Sequence, residues 1–377
     1  MEIRKQIDWT LLISVVPLLG AGLVTMFSFS GGADIEGYFF SRQIIWIAIS
    51  LLVFFLLSFV DFRFLRKSGV VLSIYLFFVL LLLFLLILTT AVRGAQSWFL
   101  IGDIIAFQPA DFMKLALILI LAKYFSRRHI EIAHIKHIII SGVYAFIPFV
   151  LIFLQPDFGS AMIIFLIWLG MIMVSGVSKK HLALVAFVAI TSFLFLWGVA
   201  LTDVQKTRIS SFLDPLADLE GAGYNAYQST IAVGSGGWFG KGVGYGTQSR
   251  LEFLPEYQTD FIFAAFAEEW GFVGVAILFI LFVIVFWRIL LNAYKGHTNF
   301  EMLFGLGLSI MLMSHFVIHV GMNIGLLPVT GLTVPFLSYG GSHLLATFVG
   351  LGILMGMRSY ARVSHRDKLE GREFIGV

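Results

Sequence analysis

Long apolar runs alternate with short polar segments along nearly the whole chain. A helix needs about 20 apolar residues, within a range of about 17–25, to cross a bilayer core about 30 Å thick. The pattern therefore predicts about ten transmembrane helices. Their predicted ranges are Trp9–Phe29, Arg42–Val60, Val70–Val92, Pro109–Phe125, Ile138–Leu154, Gly159–Val177, His181–Leu201, Phe261–Leu291, Phe300–Gly325 and His343–Tyr360.

The composition is that of a chain lying mostly in lipid. Hydrophobic residues make up 59% of the 377 positions, and charged residues make up only 12%. A soluble domain of this length cannot hide so much apolar surface. We predict an all-α polytopic membrane protein with a single integral domain, residues 1–377. Residues 202–260 are predicted to form a large extracytoplasmic loop before the eighth helix.

Basic residues are concentrated on one side of the predicted helices. If the N-terminus is inside, most Lys and Arg residues fall in inner segments, whereas the short outer loops carry Arg42 and Arg93. Positively charged loops favour the cytoplasmic side. The asymmetry therefore predicts cytoplasmic termini and an outward-facing loop. Anionic lipid of the inner leaflet is a sufficient partner for the basic residues, so nucleic acid is not expected.

The fourth predicted helix carries two opposite charges. Asp111 and Lys114 are spaced i and i+3, which places them on one helix face. Ionisable residues within a membrane are costly and commonly functional, although a salt bridge that only neutralises itself is the alternative. Just before them, Trp98–Phe107 is too short to span. It is predicted to be an interfacial helix, with an ordinary buried connection as the alternative.

Two further carboxylates fall at predicted outer helix ends. Asp157 lies between the fifth and sixth helices, where it can cap the sixth helix, contribute to a site, or do both. Asp260 lies where the polar loop meets an apolar run, so it can contact a lipid-linked substrate and water together.

The loop before Asp260 is rich in glycine, and Lys241 and Arg208 add positive charge to it. Glycine permits backbone conformations that turn successive N–H groups toward an anion. Packing of this loop against the helix bundle is the alternative interpretation.

The ninth predicted helix contains His315 and His319. An HxxxH pair can ligate a metal, but a third ligand is not evident, and polar packing or hydrogen bonding is preferred. Beyond this helix, Pro328, Pro335 and Gly340-Gly341 interrupt helical structure. Such backbone at membrane depth is tolerated where it is buried in protein or lines a wet cavity. The pattern therefore predicts a cavity.

Several long stretches support a more specific interpretation. They are RGAQSWF with QPADFMK, QPDFGSA, QSTIAVGSGGWFGKGVGYGTQ, FLPEYQTDFIFAAFAEEWG and GLLPVTGLTVPFLSYGGS. Together they resemble the SEDS family of shape, elongation, division and sporulation proteins, with the RodA branch closer than FtsW. The resemblance covers essentially the whole chain. It implies a fold of ten membrane spans in the bacterial cytoplasmic membrane.

The resemblance also implies an activity and partners. The activity is that of a peptidoglycan glycosyltransferase, which polymerises lipid II into a growing lipid-linked glycan during cell-wall elongation and rod-shape maintenance. The implied partners are a class B penicillin-binding protein, which cross-links the product, and other membrane proteins of the elongation complex.

Individual residues can be matched to the family's motifs. Asp260 matches the essential aspartate of its TDFIF motif. Asp111 and Lys114 match its Glu–Lys pair, with Asp in place of Glu. Trp98 matches the tryptophan of its GAxRW motif, where Ser97 replaces the usual Arg. His319 stands where Asn is common in the family.

The implied reaction suggests roles for these residues. Converting an α-linked pyrophosphate into a β-1,4 chain inverts the reacting carbon, so one displacement suffices. Asp260 is the predicted base for the acceptor hydroxyl, although it could instead ligate Mg²⁺ or Mn²⁺. The predicted pyrophosphate contacts are Lys114, Lys241 and Arg208. Further predicted substrate contacts are Asp111, Trp98, Asp157, Glu256, Thr259 and Ser338. A lipid II flippase and an ion-coupled transporter, with Asp111, Lys114 and Asp157 as its relay, are the alternatives.

Overall fold

The structure is a computed structural model. It describes residues 7–28, 34–88, 97–101, 105–127, 135–199, 203–214, 222–251, 253–254 and 256–373. The predicted outer ends of the first, third and seventh spans, at residues 29, 89–92 and 200–201, lie outside these ranges. Arg93 and the side chain of Arg208 also lie outside the described part of the chain.

The described chain is almost entirely helical. Its helices are α1 (Trp9–Ser28), α2 (Asp34–Ser58), α3 (Ser68–Leu88), α4 (Pro109–Ser126), α5 (Ile135–Leu154), α6 (Phe158–Val174), α7 (Lys179–Val199), α8 (Asp203–Leu213), α9 (Ala222–Ser235), α10 (Thr247–Arg250), α11 (Ile262–Tyr294), α12 (Asn299–Asn323) and α13 (Gly341–Glu373). A 3-10 turn at Phe62–Arg66 follows α2, and two short strands, β1 (Phe99–Ile101) and β2 (Ile105–Phe107), precede α4.

Helices α1–α7 and α11–α13 coincide with the ten predicted spans. Among the described residues, six helices are long and apolar enough to cross a membrane, and α6 is a shorter apolar helix. These six are α1, α2 (over Gly37–Ser58), α3, α5, α11 and α12. The prediction of an all-α polytopic membrane protein is confirmed.

The centre of the bundle is formed by α4 and α12, which pack against each other and against α6. Fourteen of the 18 residues of α4 are buried. Pro109 begins α4, where its missing N–H costs nothing. Thr298 accepts a hydrogen bond from Glu301 N and so caps α12. Asp111 and Lys114 of α4 are therefore held inside protein rather than against lipid.

The prediction of an interfacial helix over Trp98–Phe107 is wrong. The described part of this segment is an antiparallel hairpin in which Phe99 lies opposite Phe107 and Ile101 lies opposite Ile105. The sequence IGDI places β-branched residues on both sides of Gly-Asp, which is typical of a hairpin. Apolar bulk alone predicts a helix, but a Gly-Asp turn between β-branched residues favours strands.

The predicted 202–260 loop contains α8, α9 and α10, which the glycine content of the sequence did not indicate. Its glycine-rich part docks on α11 at Gly271, where the backbone leaves helical geometry with φ 65°. Lys241 N donates to Glu268 O at 3.0 Å, and Phe272 N donates to Gly237 O at 2.9 Å. A residue with a Cβ would be strained at that φ. The loop is thus packed on the bundle, as the alternative interpretation expected.

Candidate active site

Asp260 ends a tight turn that directly precedes α11. The carbonyl oxygen of Glu256 accepts hydrogen bonds from Thr259 N and Asp260 N, both at 3.1 Å. Glu256 itself has φ 48°, a left-handed conformation that is unfavourable for a residue with a side chain. The surrounding structure must therefore stabilise this turn. The Asp260 side chain is half-buried.

Asn323, at the end of α12, holds the turn from one side. Its Nδ2 donates to Asp260 O at 3.0 Å, and its Oδ1 accepts from Ala264 N at 3.2 Å in the first turn of α11. Ser229 of α9 donates to the Asn323 carbonyl at 2.8 Å. All three side-chain contacts are buried or partly buried, so α9, α11 and α12 together fix the backbone of Asp260.

The segment 324–340, which joins α12 to α13, holds the turn from the other side. Ser338 Oγ donates to Thr259 O at 2.9 Å, and Tyr339 N donates to Gln258 O at 2.9 Å. Gly331 has φ 71°, and a Cβ at this position would lie 3.6 Å from Asp260 Oδ2. Only glycine adopts this φ readily, and its lack of a side chain leaves space beside the carboxylate.

Asp111 and Lys114 form the ion pair that their spacing predicts. Lys114 Nζ donates to Asp111 Oδ1 at 2.9 Å, with the two side chains only 2% and 4% exposed. His343 Nδ1, at the start of α13, lies 3.5 Å from the same Asp111 oxygen. His315 Nε2 of α12 lies 3.3 Å from Lys114 Nζ. We call these four residues the Asp111 cluster.

Three buried polar atoms in this region have no hydrogen-bond partner among the described residues. They are Asp111 Oδ2, His343 Nε2 and His319 Nε2. Buried polar groups are nearly always paired, and each exception calls for an explanation such as a bound water, an ion or a catalytic role. The Asp111 cluster therefore retains hydrogen-bonding capacity that the described protein groups leave unused.

The N-termini of α4, α6 and α13 meet beside this cluster. Asp157 caps α6 by accepting from Ser160 N at 2.9 Å, and its other oxygen accepts from Gln108 Nε2 at 2.8 Å. Gln108 N donates to Ser342 Oγ at 3.0 Å, which ties α4 to α13. Helix N-termini carry partial positive charge and attract anions. The capping role expected of Asp157 is present, together with a link to the Asp111 helix.

Lys241 does not point to an open anion site. Its Nζ lies 2.8 Å from Glu268 Oε1 and 2.7 Å from Thr247 Oγ1. Gly244 N donates to Glu269 Oε1 at 2.7 Å. The cation and N–H groups of the glycine-rich loop thus bind carboxylates of α11, so a role for Lys241 at pyrophosphate stays a prediction.

The remaining predicted residues lie in different surroundings. Trp98 is half-buried just before β1, and Ser97 Oγ reaches Gln155 O at 3.4 Å. Thr259 and Glu256 flank Asp260, and Thr259 Oγ1 lies 3.2 Å from Glu256 O. The Ser338 hydroxyl accepts from Val334 N at 3.0 Å besides donating to Thr259. Substrate contact by these side chains remains a prediction, as does that of Arg208.

Sequence reasoning missed three residues of the site. Asn323 lies one helical turn beyond the HxxxH pair, so reading that spacing one step further would have found it. His343 directly follows the SYGGS stretch at a helix start. Glu268 was visible as a carboxylate inside an apolar run, and such residues are functional or structural candidates. Within the described ranges, no three His, Asp or Glu side chains come close enough together to hold a metal ion.

Comparison with known proteins agrees with this architecture. A model of the FtsW/RodA/SpoVE family, described as cell cycle protein, matches residues 9–363. Peptidoglycan glycosyltransferase MrdB of Escherichia coli K12 is 36% identical over 361 residues, which cover 96% of this chain and 95% of MrdB. Stage V sporulation protein E of Bacillus subtilis is 34% identical, covering 94% of this chain and 98% of that protein.

Solved structures give the same result. A chain from a peptidoglycan synthase complex, described as coordinating polymerization and crosslinking, superposes with a TM-score of 0.79 at 30% identity and covers 94% of this chain and 98% of its own length. The rod shape determining protein RodA of Thermus thermophilus superposes with a TM-score of 0.69 at 30% identity, covering 93% of this chain and 96% of RodA. This chain belongs to the FtsW/RodA/SpoVE family.

Proposed function

We propose that this protein is a peptidoglycan glycosyltransferase that polymerises lipid II at the outer face of the bacterial cytoplasmic membrane. The observation that carries the proposal is the placement of Asp260. Its backbone is fixed by Asn323 and by the Ser338 segment, while its half-buried carboxylate lies beside Gly331. A general base must be held rigidly while leaving room for the reacting group.

The proposed reaction is a single inverting displacement. The 4-hydroxyl oxygen of the acceptor sugar attacks the anomeric carbon of the donor, and the bond from that carbon to the pyrophosphate oxygen breaks. The hydroxyl proton passes to the Asp260 carboxylate, and lipid pyrophosphate leaves. A base of this kind contributes about 10²–10⁴-fold to the rate.

The leaving pyrophosphate needs positive charge, and the surroundings of Lys114 support a role there. Lys114 is balanced by Asp111, so the pair alone is close to neutral. The N-termini of α4 and α13 add partial positive charge at the same place, whereas that of α6 is offset by the Asp157 carboxylate that caps it. We assign Lys114, aided by these helix ends, to the pyrophosphate. Its capacity to donate is consistent with charge-assisted phosphate binding.

The alternative to a base is that Asp260 ligates a divalent cation. Mg²⁺ is commonly held by one or two carboxylates together with substrate phosphates rather than by a cage of protein ligands. In that alternative, Asp260 is the carboxylate that would hold the cation. A bound Mg²⁺ or Mn²⁺ would supply charge neutralisation at the leaving group.

We propose the same orientation and partners that the sequence predicts. The distribution of Lys and Arg supports cytoplasmic termini and an outward-facing Asp260. The likeness to a chain of a peptidoglycan synthase complex supports a cross-linking partner, for which we propose a class B penicillin-binding protein.

The test is polymerisation of labelled lipid II by the purified protein with its transpeptidase partner, in the presence of penicillin. Penicillin blocks cross-linking, so a glycan ladder reports glycosyl transfer alone. Asp260→Asn should lower the rate about 10²–10⁴-fold because the base is lost while the size of the side chain is kept. Asp214→Asn, an exposed carboxylate at the end of α8, is the matched control and should keep the native rate.

Two results would contradict the proposal. Native activity in Asp260→Asn would remove Asp260 from the chemistry. Absence of a glycan ladder from the native complex, together with transfer of lipid II across vesicle membranes, would favour the flippase.

A further inference from the structure

Three buried polar side chains follow one another at every fourth position of α12. They are His315, His319 and Asn323, each 1% exposed or less. A spacing of four places them on one helix face. We call these three residues the α12 ladder. Buried polar groups on a central helix require partners, and here the partners lie on α4, on the 332–333 segment and on the Asp260 turn.

His315 joins the Asp111 cluster to the non-helical segment after α12. Its Nδ1 lies 3.2 Å from Thr333 O, and its Nε2 lies 3.3 Å from Lys114 Nζ. A carbonyl oxygen can only accept, so Nδ1 carries the proton and Nε2 accepts from the ammonium group. Both ring nitrogens of His315 are therefore used.

His319 and Asn323 continue this pattern toward Asp260. His319 Nδ1 donates to Leu332 O at 2.7 Å, whereas its Nε2 has no partner among the described residues. Asn323 Nδ2 donates to Asp260 O at 3.0 Å. The side chains of the α12 ladder thus satisfy carbonyls on the 332–333 segment and on the Asp260 turn.

These contacts fix the relative position of two parts of the site. Eight residues of α helix separate His315 from Asn323, which corresponds to about 12 Å along the axis. Lys114 contacts the first of these residues, and Asp260 contacts the last. Gly331, beside the Asp260 carboxylate, directly precedes the carbonyls that the two histidines hold. A shift of the α12 ladder would therefore move both Asp260 and Gly331, which lies beside the Asp260 carboxylate.

We propose that His315, His319 and Asn323 are positioning residues for glycosyl transfer, which act by setting Asp260 and the 331–333 segment relative to Lys114. This inference rests on the proposed function. Because the ladder contacts protein groups, its loss should lower kcat more than it raises KM for lipid II.

The geometry of His319 allows a sharp test with two variants of similar polarity. The Nδ2 atom of Asn occupies the place of the histidine Nδ1, whereas the amide of Gln reaches the place of Nε2. His319→Asn should therefore keep the hydrogen bond to Leu332 O and retain kcat within about 3-fold. His319→Gln should lose that bond and lower kcat about 10-fold.

His315 gives the complementary result because it uses both nitrogens. His315→Asn should keep the Thr333 contact and lose the Lys114 contact, whereas His315→Gln should do the reverse. Each should therefore lower kcat by about 3- to 10-fold. Asn323→Ala removes the side-chain hydrogen bonds to Asp260 O and Ala264 N and should lower kcat about 10- to 100-fold.

Initial rates of lipid II polymerisation, with the partner present, would be measured against substrate concentration for all variants at equal folded protein. Phe304→Leu, a core change on α12 about three turns from His315, is the control for general destabilisation. It should lower the thermal midpoint and keep kcat. Asp260→Asn is included as the inactive reference.

The inference is overturned if His319→Asn and His319→Gln have the same kcat, or if the ladder variants keep native kcat while Asp260→Asn is inactive. Failure of the proposed function gives a different result, namely no product from the native complex or native rates from Asp260→Asn. The asparagine and glutamine variants are both polar, so their comparison remains informative if an alanine variant does not fold.

Discussion

Asp8 and Asp111 are equally buried carboxylates with very different surroundings. Asp8, just before α1, accepts from Arg288 Nε and Nη2 at 2.7–3.2 Å, from Asn292 Nδ2 at 2.7 Å and from Leu11 N at 3.2 Å. Both of its oxygens are occupied. Asp111 has Lys114 and His343 at Oδ1, whereas Oδ2 has no partner among the described residues.

The difference is the one expected between a structural ion pair and an ion pair with a role at a substrate site. Asp8 ties the start of α1 to α11 and, through Arg358 at 3.4 Å, to α13. A buried carboxylate with both oxygens paired rigidifies a fold, whereas one with an unpaired oxygen is costly and requires another reason to persist. The unused capacity of the Asp111 cluster is consistent with a place where substrate or water completes the hydrogen bonds.

The largest effect is expected when the pair at Asp111 is broken. Lys114→Met leaves a buried carboxylate without its cation and should cost about 3–5 kcal/mol of stability. The double variant Asp111→Asn/Lys114→Met removes both charges and should recover most of that loss. Activity should not recover, because the cation proposed for pyrophosphate is absent from both variants. Thermal melts in detergent and lipid II polymerisation would be measured together.

The double variant distinguishes the functional pair from one that only neutralises itself. If the double variant regained both stability and polymerisation, the Asp111–Lys114 pair would be structural, like that of Asp8. The corresponding change at Asp8 is the control and is described next.

A smaller effect, confined to stability, is expected at Asp8. Asp8→Asn removes the charge that Arg288 and Arg358 share, and should lower the free energy of unfolding by about 1.5–3 kcal/mol. Polymerisation per folded molecule should stay native, because the Asp8 contacts join α1 to α11 and α13 and do not include the Asp111 cluster. A specific loss of kcat in this variant would contradict the division of roles between the two carboxylates.

The fold was largely predictable from the sequence because one requirement dominates it, namely that backbone hydrogen bonds be satisfied within each segment in the bilayer. Runs of about 20 apolar residues can only be helices in a bilayer, since every backbone group must be satisfied within the segment. The hairpin β1–β2 was not predicted, because a segment of ten residues is too short to span the bilayer and is free of that constraint. Helices α8 to α10 were not predicted either, because α9 is stabilised by packing on α11 and α12, and α8 and α10 by packing on α9, rather than by local pattern.

The candidate site residues were predictable where a single charged residue stands out from its surroundings in the sequence. Asp260, Asp111 and Lys114 stood out as charges at helix ends or within apolar runs. The pairing of Lys241 with Glu268 could not be read from the sequence, because it depends on how the glycine-rich loop docks at Gly271. Asn323 and His343 were hidden for the same reason, since their partners are distant in the chain.

The smallest and most specific effect is a pH dependence of the Asp8 contribution. Burial alone would raise the pKa of Asp8, but hydrogen bonds from Arg288 and Asn292 hold the pKa below its ordinary value of 3.8. A depressed pKa contributes stability above about pH 4 that is lost as the pH falls through the folded value. The stability gap between native protein and Asp8→Asn should therefore be widest at neutral pH and close below pH 4. Thermal melts across this range would measure it.

Asp61 is the matched control, because Arg63 also lowers its pKa but the residue lies at the surface. Asp61→Asn should therefore change stability little at any pH. A stability gap at Asp8 that does not depend on pH would contradict the assignment.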